Sequence, residues 1–320
     1  MPTNSSNQRK KYNSFDWLRT LFAIQVVAIH TGIASSVLIN PVPAFIAISG
    51  FVVFASLEHR PALHFFISRA LRVLPLLFAS FIAVAIIWDK DEMFRTILYW
   101  LWPFGTPPEN AVVWSLMYEE ALYIALFALV ACRLYNNKYL PILLCAICIV
   151  ASIYLPKSFI TMWALLGGAF LMGNIAYKNK ELIKKKIHPI AATLLFAISI
   201  AFVFSEPYNA VVRQSSLLID FFSFAAMLVF AIAGPKLPEL KIDISYSLYL
   251  THCLVRAFLL GQVPLGFKMF WFVLLTSIPI CLACWYVIEK PALKLKTKFF
   301  KTASSASPQD LNQPELLKLS

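Results

Sequence analysis

A chain of 320 residues that is 60% hydrophobic and 14% charged, with a mean hydropathy of +0.72, holds more apolar side chains than a water-soluble globule of this size. Its net charge of +12 would suit nucleic acid, but the Lys and Arg sit in short stretches between apolar runs, where they orient a membrane protein and face anionic headgroups; no nucleic-acid partner is expected. The six cysteines lie in or beside apolar runs, which excludes a secreted disulfide framework. Two Cys-x-x-Cys pairs, Cys145/Cys148 and Cys281/Cys284, read as packing residues, and no metal centre is expected.

A polar tail, 1–14, carries Arg9, Lys10 and Lys11 ahead of the first apolar run. No small-residue cleavage site follows that run, so a retained helix is expected in place of a cleaved signal peptide. A membrane span needs roughly 20 apolar residues. Ten candidates follow: 17–38, 41–57, 72–88, 114–132, 139–155, 159–177, 188–204, 214–233, 245–260 and 268–288. The fold expected is an all-α membrane protein of about ten transmembrane helices over 15–291, with both termini cytoplasmic. With that orientation the inner segments hold 21 Lys and Arg and the outer loops 4, a strong positive-inside bias. The longest outer loop, 89–113, is acidic and proline-rich and is expected to fold over the outer mouth. The tail, 292–320, is basic and then polar enough for disorder. No internal repeat is visible.

Several polar residues in these runs need an account, because ionisable groups in hydrocarbon are costly. In FDWLRTLFAIQVVAIHTG, Arg19 lies at the cytoplasmic boundary and His30 about 20 Å deeper, on the same helix stripe. Glu119, in WSLMYEEALYI, falls roughly 8 Å from the outer surface, a depth that matches His30. A carboxylate there would orient the imidazole and leave its other nitrogen to take a proton. Arg69 and Arg72 share a face at the cytoplasmic boundary between the second and third spans. Ser245, Tyr249, His252 and Arg256 form one polar stripe on the ninth. Taken singly, the arginines read as topology anchors and the Tyr249–His252 stripe as interhelical hydrogen-bond glue. Sorted by depth, they read as a path with a cationic mouth inside and a proton-transfer site, His30 with Glu119, toward the far face.

These residues resemble the acyltransferase family 3 integral-membrane O-acyltransferases, over about 14–291. Arg19 and His30 are similar to that family's arginine and histidine separated by ten residues in the first helix. FIAISGFVVF with Ser49 and Gly50, SRALRVLP, WSLMYEEALY, ISYSLYLTH and IEKPA resemble its further segments, in order. The resemblance implies transfer of an acyl group, most simply acetyl, from cytoplasmic acyl-CoA to a hydroxyl of a cell-surface polysaccharide or lipid-linked glycan at the outer face of a bacterial inner membrane. It implies His30 as base with Glu119 beside it. Arg19, Arg69 and Arg72 would hold the CoA phosphates, with Tyr249 and His252 further along the acyl-CoA path. No bound cofactor is expected. Some members carry an extracytoplasmic hydrolase-like domain; a stand-alone form is expected here, acting alone, as a homo-oligomer or with polysaccharide-biosynthesis partners. A transporter or flippase of a glycolipid or small anion is the alternative, disfavoured by the few glycines and the lack of repeats.

Overall fold

The computed structural model describes residues 12–33, 39–58, 61–156, 158–204 and 213–295, with the side chains of 213–215 left aside. The tails expected at either end lie outside the described residues up to residue 11 and from residue 296, as do Lys157 and the end expected for the first span, 34–38. The described residues are helical with no strand among them. In chain order the helices are α1 (Asn13–His30), α2 (Pro41–Glu58), α3 (Ala62–Ile87), α4 (Lys90–Leu101), α5 (Trp114–Ala131), α6 (Leu140–Tyr154), α7 (Phe159–Lys178), α8 (Lys180–Lys186), α9 (Pro189–Phe204), α10 (Arg213–Ala233), α11 (Ser245–Leu259) and α12 (Phe267–Cys284). A helix thus stands at each of the ten expected spans. Six are long and apolar enough to cross a membrane alone, or seven if α8 and α9, bent by 103° at their junction, count as one. α1 carries Asp16 and Arg19, and α6 and α11 have 15 residues each, so none of these reaches that mark.

α2 and α7 occupy the centre: 67% and 61% of their residues are buried, against 28% for α3 and 17% for the helix that continues α12 to Leu295. Gly50 and Gly173 make this close approach, since a Cβ on Gly50 would strike the carbonyl of Phe170 and one on Gly173 the carbonyl of Ala47. Small residues let helix backbones touch in a medium where apolar burial gives no preference for protein over lipid. α1 packs against α11 and α2, α11 against α12, α6 against α7, and α9 against α10. Faces turned outward carry Phe78, Ile82, Ile86, Phe258 and Leu275, as lipid contact requires.

Two expected boundaries move. α1 starts earlier and stops at His30, because Gly32 takes a left-handed φ of +83°. Ile33 N–H then bonds the Ala28 carbonyl at 3.0 Å and Gly32 N–H the Ile29 carbonyl at 3.1 Å, a Schellman closure. His30 is therefore the last helical residue, and its side chain sits at the helix end. α3 begins at Ala62, ten residues ahead of the expected start, since HFFISRALRVL contains no breaker. Arg69 and Arg72 consequently project from a helix, not from a loop. The loop over 89–113 contains α4, capped by Asp89, whose carboxylate accepts from Glu92 N–H at 2.7 Å. Its Met93, Ile97, Tyr99 and Trp100 pack on a core cluster that includes Leu116 and Tyr249.

Candidate functional site

Five helices, with Leu293 from the continuation of α12, converge on a cavity of about 240 Å³. α1 contributes Arg19, α2 Phe45 and Ser49, α3 Arg69 and Arg72, α5 Ser115, Glu119 and Tyr123, and α11 Ser245, Tyr246 and Tyr249. Arg19, Arg69, Arg72, Tyr249 and Glu119, picked out from the sequence, therefore line one space. His30 and His252 do not line it.

The arginines are held differently. Arg72 Nη2 donates to Asp243 Oδ2 at 2.6 Å, and Asp243 Oδ1 accepts from Ser245 Oγ at 2.6 Å and Ser245 N–H at 3.1 Å, which ties the start of α11 to α3. Burial pushes the Asp243 carboxyl up, but Arg72, Arg19 and the Ser245 hydroxyl outweigh it and hold the pKa down at about 2. Arg19 lies 3.8 Å from Asp16 and close enough to Arg72 and Arg69 to feel their charge. Arg69 sits over the Tyr123 ring at 5.8 Å, and its buried Nε has no hydrogen-bond acceptor among the described residues. Three guanidinium groups meet around one cavity, with Asp243 on Arg72, Asp16 near Arg19 and Glu119 in the same wall, so what they offer phosphate is a set of converging N–H donors, not a net positive charge.

Glu119 does not meet His30. Its Oε1 accepts from the Ser49 and Tyr123 hydroxyls, so it links α5 to α2. Glu119 instead lines the cavity with Arg19, Arg69 and Arg72: α5 packs on α2 and α4, while the end of α1 faces α11. The partner of His30 is His252, with Nδ1 and Nε2 2.7 Å apart and the ring planes 10° from parallel. His252 is fully buried, and its Nδ1 lies 3.0 Å from the Leu248 carbonyl. A carbonyl only accepts, so in the neutral ring Nδ1 carries the proton and Nε2 is bare. His30 Nδ1 must then be the donor to His252, which leaves His30 Nε2 with a free lone pair. Tyr249 joins the two regions: it lines the cavity, bonds Ser115 Oγ at 2.7 Å and the Val112 carbonyl at 3.0 Å, and its ring centroid is 6.4 Å from that of His252.

Sequence reasoning missed Tyr123, Asp243 and Cys253. Asp243 left a signal, an acidic residue two positions ahead of a helix-starting Ser. Cys253 left none; its Sγ lies 3.4 Å from His252 Nε2 and 3.8 Å from His30 Nδ1.

An apolar helical bundle that gathers three guanidinium groups around one cavity, with the His30–His252 pair beyond Tyr249, is built as a membrane protein. A family model described as an acyltransferase domain matches residues 12–289, and the chain belongs to acyltransferase family 3, as a multi-pass membrane acyltransferase. No curated protein and no solved structure matches the chain.

Proposed function

We propose that the protein transfers an acyl group, acetyl in the simplest case, from cytoplasmic acyl-CoA to a hydroxyl of a cell-surface polysaccharide or lipid-linked glycan at the outer face of a bacterial inner membrane. In this reading all ten expected spans cross the membrane, and both termini are cytoplasmic. The carrying observation is that Arg19, Arg69 and Arg72 surround one cavity whose wall includes Tyr249, the ring beside His252. The guanidinium groups take the CoA phosphates, and the slim pantetheine arm follows the cavity toward Tyr249.

The chemistry then falls to His30. Its Nε2 accepts the proton of the acceptor hydroxyl as that oxygen attacks the thioester carbonyl carbon. The C–S bond breaks, and the proton passes to the departing CoA thiolate. His252 keeps Nδ1–H of His30 in place throughout, the orienting role first expected of Glu119. Glu119 acts on the cavity, holding Ser49 and Tyr123.

The test compares the surface glycan of cells lacking the protein after complementation with the wild type or with His30→Ala. Mass spectrometry should find the acyl increment restored by the wild type and absent with His30→Ala; full restoration by the variant would end this mechanism. In detergent, Arg69→Ala with Arg72→Ala should weaken acyl-CoA binding by about 10- to 100-fold. Unchanged affinity would return both arginines to topology anchors.

A further inference from the structure

We infer that His30, His252 and Cys253 form a binding site for a zinc-class divalent ion, and that its occupation switches the acyl-transfer base off. Their ligand atoms, Nδ1, Nε2 and Sγ, all lie within 4.8 Å of one another. The separations are 2.7 Å between the two nitrogens, 3.4 Å from Sγ to His252 and 3.8 Å from Sγ to His30. Tetrahedral zinc, with bonds of about 2.0–2.1 Å to nitrogen and 2.3 Å to sulfur, spaces its ligand atoms roughly 3.3–3.6 Å apart. One sulfur separation, 3.4 Å, falls within that range, and the other, 3.8 Å, lies just above it. The larger adjustment is in the nitrogen pair, which must open by about 0.6–0.7 Å, and His30 at the end of α1 is the ring placed to turn.

The outer shell is built as well. Metal-bound imidazoles hold their second nitrogen on a carbonyl or carboxylate, and His252 Nδ1 is held this way on Leu248. Its bare Nε2 faces the cluster before any ion arrives. Two imidazoles and a thiolate select zinc over magnesium or calcium. Arg256 acts electrostatically on all three ligands and opposes a dication, so the affinity expected is moderate. His30 is half-buried and gives the ion its way in, while His252 and Cys253 are buried.

Binding changes the protons without redox chemistry. The ion displaces the Cys253 thiol proton to solvent, and the proton on His30 Nδ1 reappears on its Nε2. One proton is released overall. With Nε2 protonated and Nδ1 on the metal, His30 has no lone pair for a hydroxyl proton. Binding itself stands on the geometry alone; the inhibition rests on the reading of His30 as the base.

The full chain, stripped with chelator in detergent, is titrated with Co²⁺ and followed by absorption. One ion per chain should appear, with a thiolate-to-cobalt charge-transfer band that zinc abolishes. Cys253→Ser and Cys253→Ala should lack the band, and Cys145→Ser should keep it. Zinc should inhibit acyl transfer reversibly in the wild type, and the Cys253 variants should be active and at least tenfold less sensitive. No one-to-one band, or one that survives both Cys253 variants, overturns the site. One-to-one binding with undiminished transfer overturns the switch, and a His30→Ala chain that still transfers acyl would then locate the failure in the reading of the base.

Discussion

His30 Nδ1 donates to His252 Nε2 across 2.7 Å, and the direction of that bond is set on the far side of His252, where Nδ1 meets the Leu248 carbonyl. A main-chain group on α11 thereby chooses the tautomer of a side chain on α1. Such control matters because only a bare Nε2 on His30 accepts a proton from a hydroxyl.

A graded response at position 252 follows. His252→Ala removes the acceptor for His30 Nδ1–H and should lower acyl transfer by roughly 100-fold, within the usual range for an ill-placed general base. His252→Gln restores an oxygen acceptor near the position of Nε2 and should recover part of that loss. Rates for both variants, measured beside acyl-CoA affinity, check this. A glutamine variant no better than alanine, with affinity falling equally in both, would mark His252 as packing only.

Much of this site was legible in the chain because single helices carry strong periodic signals. Eleven positions from Arg19 to His30 is about three turns, and the Ser245–Arg256 stripe is continuous, so the faces could be assigned. Which helix stands opposite which face is not periodic information. Counting helical rise gives Glu119 and His30 one depth, yet they lie against different neighbours, Ser49 and Tyr123 for one and His252 for the other. The early start of α3 was missed for another reason: Arg69 and Arg72 lower the local hydropathy without breaking the helix. Cys253 follows His252 directly, and adjacent helical residues point about 100° apart. Only the arrival of His30 from α1 makes the two a cluster.

Glu119 gives the second expectation. Replacement by alanine strands the hydroxyls of Ser49 and Tyr123, both buried, at a cost of roughly 1–3 kcal/mol. Glu119→Gln keeps a carbonyl oxygen for both and should melt close to the wild type. Thermal unfolding in detergent should rank wild type and glutamine above alanine. If alanine melts like the wild type but transfers no acyl group, Glu119 belongs to the chemistry after all.

The Arg72–Asp243 pair gives a stability that depends on acidity. The folded carboxyl sits at about 2 against an ordinary 3.8, so the ionised form favours the folded state. That contribution is complete above about pH 4 and is lost as pH falls through 2; its size is about 2 kcal/mol. Asp243→Asn should therefore be less stable than the wild type at neutral pH, and the gap should close between pH 4 and 2. A gap that stays constant over that window would remove the ion pair as its source.

The contact of α2 with α7 sets the last expectation. Gly50 follows Ser49, which lines the cavity, and its missing Cβ lets the backbone of α2 lie against the Phe170 carbonyl on α7. That obstacle is main chain, not the end of a flexible side chain, so Gly50→Ala must push the helices apart. Overpacking of this kind costs typically 1–3 kcal/mol. Because Ser49 rides on the same turn, its bond to Glu119 should loosen as well, and acyl-CoA affinity should fall together with the melting temperature. Gly105→Ala is the control: it has open space around it, although its φ of +94° adds local strain, and it lies in the loop after α4, far along the chain from the α2–α7 contact. A Gly50→Ala protein that melts no lower than Gly105→Ala would show that the two central helices are not held as closely as their backbones here require.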